Sequence, residues 1–192
     1  MTHFQPVALA HASRLINHGP TVLVTSAQGG RRNVMAVAWS MPVEFTPPRI
    51  AIVIDKSTFT RELVHASGVF GVCLPGPDLV DACHAVGQCS GREVDDKFAR
   101  FHLDARPGPA LGVPVIETGC AAWMECRLIP EPHTQDAYDT CFAEVVAAAA
   151  DARVFDGGRW SVNDGNAPLH TIHHLGGGNF AVAGGVRAAR AL

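Results

Sequence analysis

Asn33-Val34-Met35-Ala36-Val37-Ala38-Trp39-Ser40-Met41-Pro42-Val43-Glu44-Phe45-Thr46-Pro47-Pro48 is the stretch on which the reading of this chain turns. Apolar and small residues alternate along it, the period of a β-strand and not of a helix. One long strand is predicted over residues 33–45, bent near Pro42. By parity Met35, Val37, Trp39 and Met41 share one face, and Ala36, Ala38 and Ser40 share the other. Small residues on one face let a flat ligand approach the backbone. The same pattern also suits a core strand with Trp39 as filler. Thr46-Pro47-Pro48 stiffens the exit, and the continuous apolar run from Arg49 to Asp55 reads as a buried strand.

Upstream, residues 21–27 are β-branched, and Gln28-Gly29-Gly30-Arg31 is a turn, so this strand and the next form a hairpin. Before it, Leu9, Ala12, Leu15 and Ile16 lie at helical spacing within residues 6–17, ended by Gly19-Pro20. Downstream, Ser57 or Thr58 caps a helix running to about Ser67, with Leu63 and Val64 inward and Gly68 as its stop. Residues 69–74 are the next strand. Gly76-Pro77-Asp78 opens a short helix that Gly87 closes. Ser90 and Glu93 have the spacing of a capping box for a helix through Phe98. Residues 104–118 are rich in Pro and Gly and irregular. Residues 121–129 and 138–147 read as a second hairpin, 147–150 as frayed or helical, and 179–182 as a last short strand. Strands outnumber helices and follow one another directly. The fold class is α+β and β-rich, a barrel with helices as side connections.

The 192 residues suit a single domain over 1–192. Charged residues are 17% of the chain and hydrophobic ones 47%. The charge content lies below the usual quarter or so, which points to surface covered by a partner subunit. Fifteen Lys and Arg against eighteen Asp and Glu give a net charge of −3, with no basic field to hold nucleic acid. The longest purely apolar stretch, residues 145–150, is too short to span a membrane. The start, Met-Thr-His-Phe-Gln-Pro, shows no signal peptide. Six cysteines in such a chain read as reduced thiols, and a cytoplasmic location is expected. No Cys-x-x-Cys occurs. Cys83-His84 with Cys89, and His170 with His173-His174, lack zinc-ligand spacing, so no metal is expected.

Two further segments can carry chemistry. Asp55-Lys56-Ser57-Thr58-Phe59-Thr60-Arg61 joins a strand end to a helix start. Free amides, the hydroxyls of Ser57, Thr58 and Thr60, and Arg61 suit a phosphate; an ordinary N-cap reads the same way. In Cys89-Ser90-Gly91-Arg92-Glu93-Val94-Asp95-Asp96-Lys97-Phe98, Ser90 and Gly91 can offer amides to an anion, with Arg92 or Lys97 adding charge. A capped, solvated helix is the plain alternative. Gly176-Gly177-Gly178 lacks the strand-to-helix context of a nucleotide loop and reads as a turn.

Taken in order, Asn33-x-Met35-x-x-x-Trp39-x-x-Pro42-Val43-x-Phe45-x-Pro47-Pro48, Ser57-Thr58-Phe59-Thr60-x-x-Leu63, Gly68-x-Phe70-x-Val72 and Ser90-Gly91-Arg92-x-Val94-Asp95-x-Lys97-Phe98 resemble the flavin reductase-like, FMN-binding split-barrel family, its flavoredoxin subgroup above all. The resemblance covers residues 10–185. It implies a six-stranded antiparallel Greek-key split barrel with flanking helices, and a homodimer with one FMN per subunit near the interface. It also implies an FMN-binding oxidoreductase passing electrons from NADH or NADPH to flavin or to a partner, a redox protein or a monooxygenase. Two rivals stand beside this: a non-catalytic FMN electron carrier reduced by another protein, and a barrel that has lost flavin. By position, the resemblance places Asn33, Met35, Ala36 and Trp39 along the isoalloxazine, Ser57, Thr58 and Thr60 at the ribityl phosphate, and Ser90, Gly91 and Lys97 at the flavin or its phosphate. The chain departs from the family twice. Where many members carry Gly-Asp-His, this chain has Gln135-Asp136-Ala137-Tyr138, with Tyr138 in the place of the histidine, which implies slow direct reduction by NAD(P)H. Asp95-Asp96-Lys97 carries one residue more than the common pattern. At the other end of the chain, the resemblance lets His173 or His174 approach the site; an ordinary surface position fits equally.

Overall fold

The computed structural model of the protein describes residues 3–16 and 19–189. The principal sheet is built from β1 (Phe4–Pro6), β2 (Val22–Gln28), β3 (Arg31–Val37), β4 (Ser40–Phe45), β5 (Pro48–Val53) and β6 (Val69–Pro75). A short ribbon of β7 (Ala105–Pro107) and β8 (Pro114–Ile116) precedes the two long strands β9 (Cys120–Ile129) and β10 (Thr140–Asp151). Helices α1 (Leu9–Ala12), α2 (Phe59–Ser67), α3 (Val80–Gly87), α4 (Lys97–Arg100) and α5 (Pro132–Tyr138) lie in the connections. Two ribbons close the chain, β11 (Phe155–Asp156) with β12 (Arg159–Trp160) and β13 (Ile172–Gly176) with β14 (Asn179–Val182).

Strand order in the principal sheet is β3-β2-β6-β9-β10-β5-β4, with β1 added on β10. β3 and β4 therefore occupy opposite ends of the order, yet only Ala38 and Trp39 join them. Three Cα–Cα steps reach about 11 Å, whereas seven strands laid flat are about 29 Å across. The sheet must curl until its edges meet. The result is a barrel left open between β3 and β4.

This geometry corrects the expected single strand over residues 33–45. The chain breaks at Ala38–Trp39, not at Pro42, because Val37 pairs with Val22 on one edge while Ser40 pairs with Ile52 on the other. The face shared by Met35 and Val37 does not continue to Trp39 and Met41. Trp39 is 73% exposed. Pro42 is tolerated because β4 is an edge strand. The principal sheet has eight strands, β4 and β1 extending the run β3-β2-β6-β9-β10-β5.

The central strands are buried on both faces, which is why they read as continuous apolar runs. Val22, Val24, Val72, Leu74, Ala122 and Met124 point into the barrel with Ile50 and Ile52. The alternate residues Leu23, Cys73 and Trp123 pack outward with Cys83 and Val86 of α3, Phe98 of α4 and Val115. Residues 147–150, expected to be frayed or helical, are instead the distal half of β10, paired with both β9 and β1. Alanine has little strand preference of its own, and pairing on two sides overrides it. Near the N-terminus, α1 is followed by a 3-10 turn over Ser13–Leu15, with Ala12, Leu15 and Ile16 buried and Leu9 exposed. Residues 17 and 18, where the expected helix ends, lie outside the described residues.

Candidate functional site

Three elements converge on one cleft of about 320 Å³ outside the barrel, within the roughly 300–1,000 Å³ usual for small-molecule sites. Asn33, Met35 and Ala36 of β3 form its wall. Ser57, Thr58, Phe59 and Thr60 bring the start of α2. Gln88, Cys89, Ser90, Gly91 and Arg92 line it after α3, and Lys97 closes it at the start of α4.

Thr58 is the N-cap of α2. Its Oγ1 accepts from the Arg61 amide at 3.2 Å and donates to the Asp55 carbonyl at 2.8 Å. Gly68, at φ 71°, supplies the left-handed C-cap. Ser57 Oγ donates to Asp55 Oδ1 at 2.6 Å, which with the Ser57 amide holds that carboxyl below the usual aspartate range. Two of the three hydroxyls expected to serve a phosphate therefore have their protons committed within the loop. Thr60 is different: its Oγ1 accepts from Asn33 Nδ2 at 2.8 Å and keeps its own proton. The amides of Phe59 and Thr60 open the helix beyond the reach of the Thr58 cap. With the positive end of the helix behind them, they are the natural anion donors.

Asn33 is buried, and its Oδ1 has no hydrogen-bond partner. A buried amide oxygen left so costs roughly 1–3 kcal/mol, and Asn33 is one of the residues that line the cleft. Gly91 is required beside it: a Cβ there would lie 2.4 Å from Asn33 Oδ1 and 2.7 Å from the Phe59 ring. Lys97 is 2% exposed and donates to the carbonyls of Val34 at 3.2 Å and Val86 at 2.8 Å, tying β3 to α3. Burial lowers its pKa. Arg92 donates to the Ser57 carbonyl at 2.8 Å and pairs with Glu62, joining the two loops. Arg31 donates to the Gly91 carbonyl at 2.9 Å and stacks 4.2 Å over Phe59.

The structure thus brings together nine of the expected residues, Asn33, Met35, Ala36, Ser57, Thr58, Thr60, Ser90, Gly91 and Lys97. Trp39 stands apart, beyond the break after β3. Tyr138 ends α5, 65% exposed and stacked edge-on against His133, and does not line the cleft. It also lies outside the strand expected over 138–147, which starts at Thr140. His174 lines an adjoining hollow. Arg61 is no anion ligand. Its guanidinium is spent on the carbonyls of Ile54, Gln135 and Asp139. Nor does Ser90 cap a helix: residues 91–93 form a turn, and Asp96 caps α4 by accepting from Phe98 and Ala99. Arg31 and Phe59 were not legible as site residues, since only the tertiary fold lays the β2–β3 turn beside α2. Among the described residues no His, Cys, Asp or Glu cluster could hold a metal, all six cysteines are free thiols, and no helix is long and apolar enough to cross a membrane.

A split barrel with such a cleft on its outer wall defines a class, and the comparisons agree. The model of the flavin reductase like domain matches residues 14–165, and the chain belongs to that family. The uncharacterized protein YddH of Escherichia coli K12 is 55% identical over 186 residues, 96% of this chain and 97% of that protein. The crystal structure of an FMN-binding domain of a flavin reductases-like enzyme from Shewanella baltica superposes with a TM-score of 0.94 at 38% identity, covering 97% of both chains. Flavoredoxin of Desulfovibrio vulgaris shares the fold, with a TM-score of 0.75 at 23% identity over 89% of this chain and 90% of that one.

Proposed function

We propose that this chain is a single-domain FMN-dependent oxidoreductase that takes electrons from NADH or NADPH and passes them to free flavin or to a partner, a redox protein or a monooxygenase. The observation that carries this reading is the pairing, in one cleft, of an anion-binding helix start with an unsatisfied amide oxygen on a strand wall. The amides of Phe59 and Thr60, with Arg92, would hold the phosphate. Asn33 would offer its amide to the ring system, and Met35 and Ala36 would form the apolar wall. Lys97 keeps β3 and α3 at a fixed separation. FMN, when bound, supplies the electron chemistry, and no side-chain acid or base is needed for hydride transfer.

A homodimer belongs to the same proposal. Trp39, Met41, Val43 and Phe45 are exposed large apolar residues along and just before the edge strand β4, an apolar edge suited to a second copy. Six free thiols fit a reducing compartment such as the cytoplasm. The alternative, a non-catalytic carrier reduced by another protein, is favoured by the position of Tyr138 away from the cleft.

One experiment separates the readings. The purified protein should show flavin absorbance, and anaerobic NADH or NADPH should bleach it. Flavin that resists both nucleotides but accepts electrons from a chemical reductant identifies the carrier. Absence of flavin affinity sinks both.

A further inference from the structure

A second hollow of about 190 Å³ adjoins the cleft, with Ala36, Gly87 and Gln88 bordering both spaces. It lies between α3, the start of β2 and the β13–β14 hairpin. Its polar groups are Thr21, His84, Gln88 and His174, and Phe180 offers a ring. No Asp, Glu, Lys or Arg is among the residues that line it.

The hairpin is held in place. The His174 amide donates to Thr21 Oγ1 at 2.9 Å, the Thr21 amide to the Ile172 carbonyl at 2.8 Å, and the Ala183 amide to the Thr171 carbonyl at 2.8 Å. Its glycine turn covers α3: a Cβ at Gly178 would lie 3.3 Å from His84 Cε1. The rings of His174 and Phe180 are 5.1 Å apart. Two imidazoles borne on different elements therefore face one small space, with an aromatic ring beside them.

We propose that this hollow is a binding site for a small monocyclic aromatic carboxylate beside the flavin site. An imidazole keeps an N–H donor in either protonation state, and the Gln88 amide offers two more. No carboxylate lines the space to repel the anion. The volume is below the roughly 300 Å³ at which drug-sized sites begin, which suits one ring and excludes a dinucleotide. The hollow's neighbourhood to a flavin rests on the flavin reading; the binding itself does not.

Benzoate is the probe, titrated into FMN-loaded protein and followed by calorimetry and by the flavin difference spectrum, with benzamide as the neutral counterpart. Benzoate should bind at least about tenfold more tightly than benzamide, and His84→Ala and His174→Ala should each weaken benzoate about tenfold, the scale of one hydrogen bond to a charged group. FMN affinity and the melting temperature should stay unchanged, since both side chains are exposed. No binding of benzoate, or equal binding by the double variant, overturns the assignment. A loss of FMN affinity in these variants also overturns it and gives the hollow to the cofactor. Should the protein hold no FMN, the flavin reading falls by itself. Benzoate-induced shifts of the His84 and His174 ring protons in the flavin-free protein then decide the hollow separately.

Discussion

Replacing Asn33 by Ala separates a ligand-holding role from a structural one, because the two roles give opposite patterns. In the flavin-free protein the substitution removes the 2.8 Å bond to Thr60 Oγ1, worth about 1 kcal/mol. It also removes the buried, unpartnered Oδ1, whose desolvation costs roughly 1–3 kcal/mol. The two nearly cancel, so stability should stay within about 1 kcal/mol, or about 2–4 °C in melting temperature for a chain of this size. With FMN present nothing cancels. The cofactor loses its hydrogen bond to the amide oxygen, about 1–1.5 kcal/mol, or roughly tenfold in Kd. The assay is a thermal melt of the flavin-free protein beside an FMN titration read by quenching of flavin fluorescence. A melting temperature lowered by 10 °C or so with FMN affinity intact would refute the reasoning and make Asn33 a scaffold residue.

Three further outcomes are expected. FMN should bind at least about a hundredfold more tightly than riboflavin, because charge-assisted bonds from the Phe59 and Thr60 amides and Arg92 contribute about 1.5–3 kcal/mol each; equal affinities by competition titration would remove the phosphate from this helix start. Met41→Lys with Phe45→Lys should convert a dimer to a monomer in light scattering, and a wild-type protein that is monomeric at micromolar concentration contradicts the β4 interface. Asp96 is held below the ordinary carboxylate range by its bonds from Arg32 and from the amides it caps. Its folded pKa lies below its unfolded one of about 3.9, so its stabilisation is complete above that value and is lost as pH falls through the folded pKa. Urea unfolding between pH 6 and pH 3 should show a drop that Asp96→Asn, which can still cap α4, makes shallower; parallel curves would exclude Asp96 as a source.

Local chemistry made much of this protein readable in one dimension. Thr58 and Gly68 mark the ends of α2 because a hydroxyl cap and a left-handed glycine act within a single turn. Thr60, Gly91 and Lys97 could be read as candidate anion donors from residue type, whereas Asn33 was marked only by the resemblance to a known family. What no local rule contains is closure. The two-residue link at Ala38–Trp39 spans the split of the barrel only because β3 and β4 pair with strands far along the chain, and that pairing turns Trp39 out to solvent. The same long-range packing spends Arg61 on the carbonyls of Ile54, Gln135 and Asp139, and lays Arg31 over Phe59. It also makes a strand of the alanine run at 147–150. Propensity and capping are energies of neighbours in sequence, so the chain alone fixes them. Which donors remain free for a ligand is settled by partners dozens of residues away, and only the folded barrel supplies those.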